Sequence, residues 1–165
     1  MIHVVLCDDH AMVRRGIRNM LSEAVDIQVT GEASGYAEVR ELLRTAACDV
    51  LVLDLSMPGR GGMEVLASLQ ETHSPIKVLV VSMFPEDQYA IRCLRAGAQG
   101  YLNKAGDPEE LVLAVRTVMQ GRKYVTPEVA QMLVEGLSKP VLEVPHAALS
   151  EREMQTLLKI ASGKR

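Results

Sequence analysis

Apolar positions along this chain follow two alternating rhythms. Four short, largely apolar runs, Ile2–Cys7, Val50–Leu53, Val78–Val81 and Gly100–Asn103, are separated by stretches with apolar residues three and four apart. The runs suit strands buried on both faces of a parallel sheet, and the spaced stretches suit helices with one apolar face. Val13, Ile17, Met20 and Leu21 mark a first helix, and Val39, Leu42, Leu43 and Ala46 a second. Val65, Leu66 and Leu69 mark a third, and Ala90, Ile91 and Leu94 a fourth that ends at Gly97. A fifth, with Leu111, Val115, Val118 and Met119 inward, opens at Asp107-Pro108-Glu109-Glu110. That opening combines an N-cap, a first-turn proline and acids at the positive helix end. Between the first two helices, Ile27 and Val29 alternate with polar neighbours, as in a half-exposed edge strand.

Five strand–helix units in about 120 residues predict a doubly wound α/β domain. One edge-like strand beside four buried ones favours the flavodoxin-like (βα)5 order 2-1-3-4-5 with all strands parallel. The strand pattern stops after Gly121. Residues 121–147 read as a linker with a short helix from Thr126-Pro127, its face formed by Val129, Met132 and Leu133, followed by a stretch containing Pro140 and Pro145. Residues 148–165 begin something else. Ser150 and Glu153 form a capping box, Leu149 and Met154 a hydrophobic staple, and Leu157, Leu158 and Ala161 an apolar face.

Composition changes this picture little. With no Trp and one Phe, the core must be aliphatic. Residues 1–120 hold 11 basic and 16 acidic side chains, net −5, and residues 121–165 hold 7 and 5, net +2. An acidic body with a mildly basic tail is compatible with a tail that meets nucleic acid, but does not require it. Cys7, Cys48 and Cys93 lack metal-ligand spacing and read as reduced, buried thiols. Without a signal peptide or a membrane-length apolar run, the expected location is cytoplasmic, with no membrane partner.

The chemistry lies where the strands end. Asp8-Asp9, Asp54, Ser82 and Lys104 each follow or close an apolar run, so a parallel sheet collects them on one rim. Three carboxylates there call for a hard cation, and oxygen ligands with room for water suit Mg²⁺. Asp8-Asp9 can also be read as a cap for the first helix, whereas Asp54 ends a buried strand with no helix starting at once. A carboxylate can accept a phosphoryl group as a nucleophile. Mg²⁺ and Lys104 would then neutralise the phosphoryl oxygens, with a hydrogen bond from Ser82. Gly59-Arg60-Gly61-Gly62 lacks the arrangement of a nucleotide cradle and reads as a flexible loop.

Leu6-Cys7-Asp8-Asp9-His10, Asp54-Leu55-Ser56-Met57-Pro58 with Gly62, Val81-Ser82, and Tyr101-Leu102-Asn103-Lys104 together resemble the motifs of bacterial two-component response regulators. The resemblance implies a phosphoacceptor receiver over residues 1–120, with Asp54 phosphorylated. It makes Asp9, Asp54 and the Ser56 backbone carbonyl direct Mg²⁺ ligands, with Asp8 acting largely through water. Ser82 becomes the switch hydroxyl, Tyr101 the switch aromatic and Lys104 the phosphate-pairing cation. Ala105 stands where many receivers have proline after a lysine whose following peptide is often cis, and cis is costly without proline.

Leu149–Glu153, continuing to Ala161-Ser162-Gly163, resembles the opening of a LuxR-type helix-turn-helix domain of the nitrate-response and nodulation regulators. Only its first helix is present, so specific DNA binding is expected of a longer chain and not of residues 1–165. The implied function is a switch rather than an enzyme, although one expected to lose its own phosphate. A sensor histidine kinase or a small phosphodonor would load Asp54, and the receiver would then dimerise and bring DNA-binding domains onto paired half-sites. Tyr101 is equally readable as a packed strand residue or as an aromatic that turns inward on phosphorylation. Two other classes stay open: an interaction module indifferent to phosphate, and an aspartyl-phosphate hydrolase, which usually needs a second acid where Ser56 stands.

Overall fold

Strands β1 (Ile2–Cys7), β2 (Ile27–Ala33), β3 (Val50–Leu53), β4 (Lys77–Ser82) and β5 (Gly100–Asn103) form one sheet in the order β2-β1-β3-β4-β5. Every pairing is parallel, as the apolar pattern predicts. This computed structural model describes residues 1–138 apart from Pro58, Arg60 and Pro108, with only the backbone of Glu86, Asp87, Leu137 and Ser138. The helix expected from Ser150 lies outside the described residues.

Successive side chains of a strand point to opposite faces, and here both faces are covered. Val4, Leu6, Val50, Val52, Leu79, Val81 and Leu102 share one core with helices α1 (Ala11–Ser22) and α5 (Glu109–Met119). Val5, Cys7, Leu51, Leu53, Val78, Val80 and Tyr101 share the other with α2 (Tyr36–Thr45), α3 (Gly62–Glu71) and α4 (Glu86–Arg95). This two-sided burial is why the central strands are continuously apolar. On β2, at the sheet edge, only Ile27 and Ala33 are buried. Among the described residues no helix is long and apolar enough to cross a membrane.

The short helix expected after Thr126 is present as α6 (Pro127–Ser138). Val129 is 1% exposed in the core beneath it, and α6 packs on α4. One feature departs from the sequence reading, in which the strand pattern ends at Gly121. Tyr124 returns to the outer edge of β5, bridging Gly100. Its carbonyl accepts from Tyr101 N–H at 3.3 Å, and its own N–H donates to Gln99 O at 3.0 Å. A one-residue bridge has no periodicity to read.

Register then sets the functional geometry. Cys7 pairs with Leu53 and Ser82 with Asn103, so the residues that follow, Asp8, Asp54 and Lys104, leave the sheet on the same side. Truncating Val129 to Ala should cost about 2 kcal/mol if α6 belongs to the same cooperative unit as the sheet. Urea denaturation of the variant checks this, with an unchanged midpoint showing that α6 contributes nothing to the core.

Candidate functional site

Ladder hydrogen bonds continue one residue beyond three strands and hold the site backbone. Asp8 N–H donates to Ala33 O at 3.0 Å, Asp54 N–H to Cys7 O at 2.9 Å, and Lys104 N–H to Ser82 O at 2.8 Å. Behind Asp54 the chain turns, with Ser56 N–H donating to Asp54 Oδ1 at 3.3 Å. Gly62 does not belong to a loose loop. It opens α3 and is buried, and a Cβ on it would lie 2.5 Å from Asp54 O and 2.9 Å from Leu55 Cα. Only glycine lets the helix approach that closely.

Asp8 and Asp54 are each 3% exposed and share one cation. Lys104 Nζ lies 2.7 Å from Asp8 Oδ2 and 3.4 Å from Asp54 Oδ1, with its side chain 12% exposed. The other Asp54 oxygen, Oδ2, is buried and has no hydrogen-bond partner. Burial drives the Asp54 carboxyl up from 3.8 to about 6, the Asp8 charge adds to the rise, and Lys104 opposes it. Asp9 sits beside the pair, its side chain 25% exposed, and its Oδ1 has no hydrogen-bond partner among the described residues but lies 3.1 Å from His10 Nδ1.

Neither acid of the Asp8-Asp9 pair caps the first helix. The N-cap of α1 is His10, which makes no side-chain cap bond; its backbone N–H donates instead to Asp8 Oδ1 at 2.8 Å. Arg14, one turn into α1, donates to the Asp8 carbonyl and pairs with Glu32. Ligand atoms of Asp8, Asp9, His10 and Asp54 all lie within 4.8 Å of one another. Two buried carboxylate oxygens without a hydrogen-bond partner among the described residues, in a group with three acids, fit a hard divalent cation such as Mg²⁺. Asp8, Asp9 and Asp54 would hold it.

Ser82, 1% exposed, accepts a hydrogen bond from Phe84 N–H at 3.0 Å. The Phe84 carbonyl accepts from Tyr101 Oη at 2.8 Å and from Asn103 Nδ2 at 3.3 Å. Tyr101 is therefore already inside, 1% exposed, as a packed strand residue would be. Its hydroxyl finds an acceptor in the β4–α4 loop without any phosphate. No peptide among the described residues is cis, so Lys104 and Ala105 are joined in trans. The three cysteines are free, and burial raises each thiol to about 12, which leaves them inert.

A family model described as the response regulator receiver domain matches residues 4–116. The chain belongs to the response regulator receiver family. It is 39% identical to response regulator UvrY of Escherichia coli K12 over 166 aligned positions, which span all of this chain and 76% of UvrY. It is 40% identical to response regulator GacA of Pseudomonas aeruginosa, covering 98% of this chain and 76% of GacA. Among solved structures, a LuxR-family two-component response regulator from Aurantimonas sp. SI85-9A1 superposes with a TM-score of 0.74 at 32% identity. That match covers 83% of this chain and 98% of the other. The isolated receiver of RcsB from Salmonella enterica serovar Typhimurium, with the phosphomimetic BeF3⁻, gives 0.71 at 25% identity over 79% and 96%.

Sequence reasoning singled out Asp8, Asp9, Asp54, Ser82 and Lys104, and the structure brings Asp8, Asp9, Asp54 and Lys104 into one cluster. It assigned no role to His10, although His10 directly follows the acid pair. It also overlooked the Phe84 carbonyl, a backbone group with no sequence signal.

The raised Asp54 carboxyl has a consequence for stability without metal. An acid that titrates higher in the folded state favours folding below its unfolded value, near 3.8, and loses that contribution as pH rises through about 6. In EDTA, Asp54→Asn should therefore be more stable than wild type at neutral pH, by up to about 3 kcal/mol. Paired urea titrations should show the gap narrowing as pH falls below about 6; a gap independent of pH contradicts the assignment.

Proposed function

We propose that this receiver is the phosphorylation switch of a two-component transcription regulator, with Asp54 as the phosphoacceptor. The observation that carries the reading is the Asp54 side chain itself. One oxygen faces Lys104 at 3.4 Å, and the other is buried and unpartnered, free to attack. An Asp54 oxygen forms a bond to phosphorus while the bond from phosphorus to the donor, a kinase histidine nitrogen or the acyl oxygen of acetyl phosphate, breaks. The electron pair leaves with the donor, which takes up a proton if it is an imidazole. A bound Mg²⁺ supplies charge neutralisation for the phosphoryl oxygens.

The chain's own residues do the rest. Lys104 is held by Asp8 at 2.7 Å and is close enough to pair with a phosphoryl group on Asp54. Asp54, Asp9 and the Ser56 carbonyl would hold the cation, and Asp8 would act on it largely through water. Ser82 Oγ accepts from Phe84 N–H, which leaves its hydroxyl proton for a phosphoryl oxygen. Drawing Ser82 toward the phosphate moves the Phe84 carbonyl and so the acceptor of Tyr101. Phe84 also stacks on Tyr89 of α4, with ring centroids 4.8 Å apart, and α4 carries α6. A population shift at Asp54 thus reaches the segment that leads out of the receiver.

In this reading residues 1–120 are the receiver, 121–147 the linker and 148–165 the start of a LuxR-type helix-turn-helix. The partners are a sensor histidine kinase, a second copy on activation, and DNA in the longer protein, all in the cytoplasm. The kinship with UvrY and GacA, both named response regulators, supports a signalling role over hydrolase turnover. Slow loss of phosphate by the protein itself belongs to the same proposal.

Intact-mass spectrometry after incubation with acetyl phosphate and Mg²⁺ tests it. Wild type should gain one phosphoryl mass, and Asp54→Asn or excess EDTA should abolish the gain. Lys104→Ala should slow it by about a hundredfold, since the acceptor stays but its cation is gone. No gain in wild type, or a gain that survives Asp54→Asn, overturns the reading and favours an interaction module indifferent to phosphate.

A further inference from the structure

His10 is the one member of the metal-binding group whose ligand atom is nitrogen. Its ring is 66% exposed, and its backbone is fixed by the N–H bond to Asp8 Oδ1. Nδ1 lies 3.1 Å from Asp9 Oδ1 and 3.4 Å from Asp8 Oδ1. Both are charge contacts, and the one to Asp9 Oδ1 is not a hydrogen bond. Two atoms bound to one first-row dication at about 2.0–2.2 Å are separated by roughly 3.0–3.4 Å along an edge of its coordination shell. The imidazole and the carboxylates are spaced like such an edge. Independently, Asp54 Oδ2 is buried and unpartnered within the same group.

We propose that His10 makes the acid pocket a mixed nitrogen–oxygen site that takes a transition-metal dication of the Co²⁺, Ni²⁺ or Zn²⁺ class, with the imidazole as a ligand. This rests on the reading of the pocket as a metal site and extends it to the choice of metal. Mg²⁺ prefers oxygen and keeps its water, so it gains nothing from an imidazole. The transition dications bind imidazole well, and replacing a bound water by Nδ1 raises their affinity selectively. The ring is exposed and engaged in no hydrogen bond among the described residues, and its two contacts, to Asp8 and Asp9, are with the same carboxylates that would share the cation. Occupation by such a cation would tie the N-cap of α1 to the acid pocket, whereas Mg²⁺ would leave His10 in solvent. The two metals would then present the first turn of α1 differently.

Calorimetric titration of CoCl₂ and MgCl₂ into untagged wild type, His10→Gln and His10→Ala tests the proposal. Both variants keep the backbone bond to Asp8, and the other histidines, His3, His73 and His146, are common to all three proteins. Co²⁺ affinity should fall at least about tenfold in both variants while Mg²⁺ affinity stays within about twofold. The visible spectrum of bound Co²⁺ should change in parallel. Co²⁺ affinity independent of His10, or Co²⁺ and Mg²⁺ affinities falling together, overturns the proposal. Failure of wild type to bind Mg²⁺ at all, with Asp9→Asn as the reference for a lost site, would count against the acid-pocket reading; the His10 comparison with Co²⁺ decides the imidazole separately.

Discussion

Lys104 lies between two carboxylates that are almost wholly buried, and the rim of the sheet depends on that one cation. Removing charged groups from water costs several kcal/mol each unless they are paired. A single ammonium cannot satisfy four carboxylate oxygens. It takes one from Asp8 closely and one from Asp54 at longer range, leaving Asp54 Oδ2 without a partner. The site is therefore short of positive charge, and the Asp54 carboxyl is raised by burial first and by the Asp8 charge besides, with Lys104 only partly opposing them. A dication or a rearranged ammonium relieves the shortage, which makes the pocket responsive to what enters it.

The sheet register makes this arrangement possible. Asp8, Asp54 and Lys104 lie far apart in sequence, yet each is the first residue beyond a strand, and each is fixed by a ladder bond to the neighbouring strand. Behind them Gly62 lets α3 approach the Asp54 carbonyl more closely than any side chain would allow. The acid pocket is rigid at its backbone and unsettled in its charge.

Much of this was legible in sequence because two-sided burial leaves little freedom. Val4 to Cys7, Val50 to Leu53 and Val78 to Val81 face packed helices on both sides, and such strands read as unbroken apolar runs. An acid closing one of those runs, as Asp54 does, has no structural reason to be there, so its chemistry showed through. What did not show depends on direction and on backbone. The sequence places His10 next to two acids but not on which side its ring turns. Phe84 acts through its carbonyl, which every residue has. The sequence leaves Tyr101 open between a packed strand residue and a switch aromatic, and its inward position here follows from that carbonyl. Gly62 read as looseness because glycine marks both open loops and the tightest contacts.

The bridge from Tyr124 to Gly100 has a further meaning for the sheet itself. A terminal strand with free N–H and C=O groups invites another chain to pair with it, and folded proteins guard such edges. On one side β2 is short of buried apolar residues and carries a bulge opposite Val4 and Val5. On the other, β5 is guarded by the very segment that leads toward the output region, through Tyr124 and the helix packed over α4. The segment that guards the β5 edge is thus also the one that carries α6 onto α4. A rearrangement that peeled α6 away to transmit a signal would also bare the β5 edge, so the outward swing available to this segment is bounded by the need to stay unaggregated.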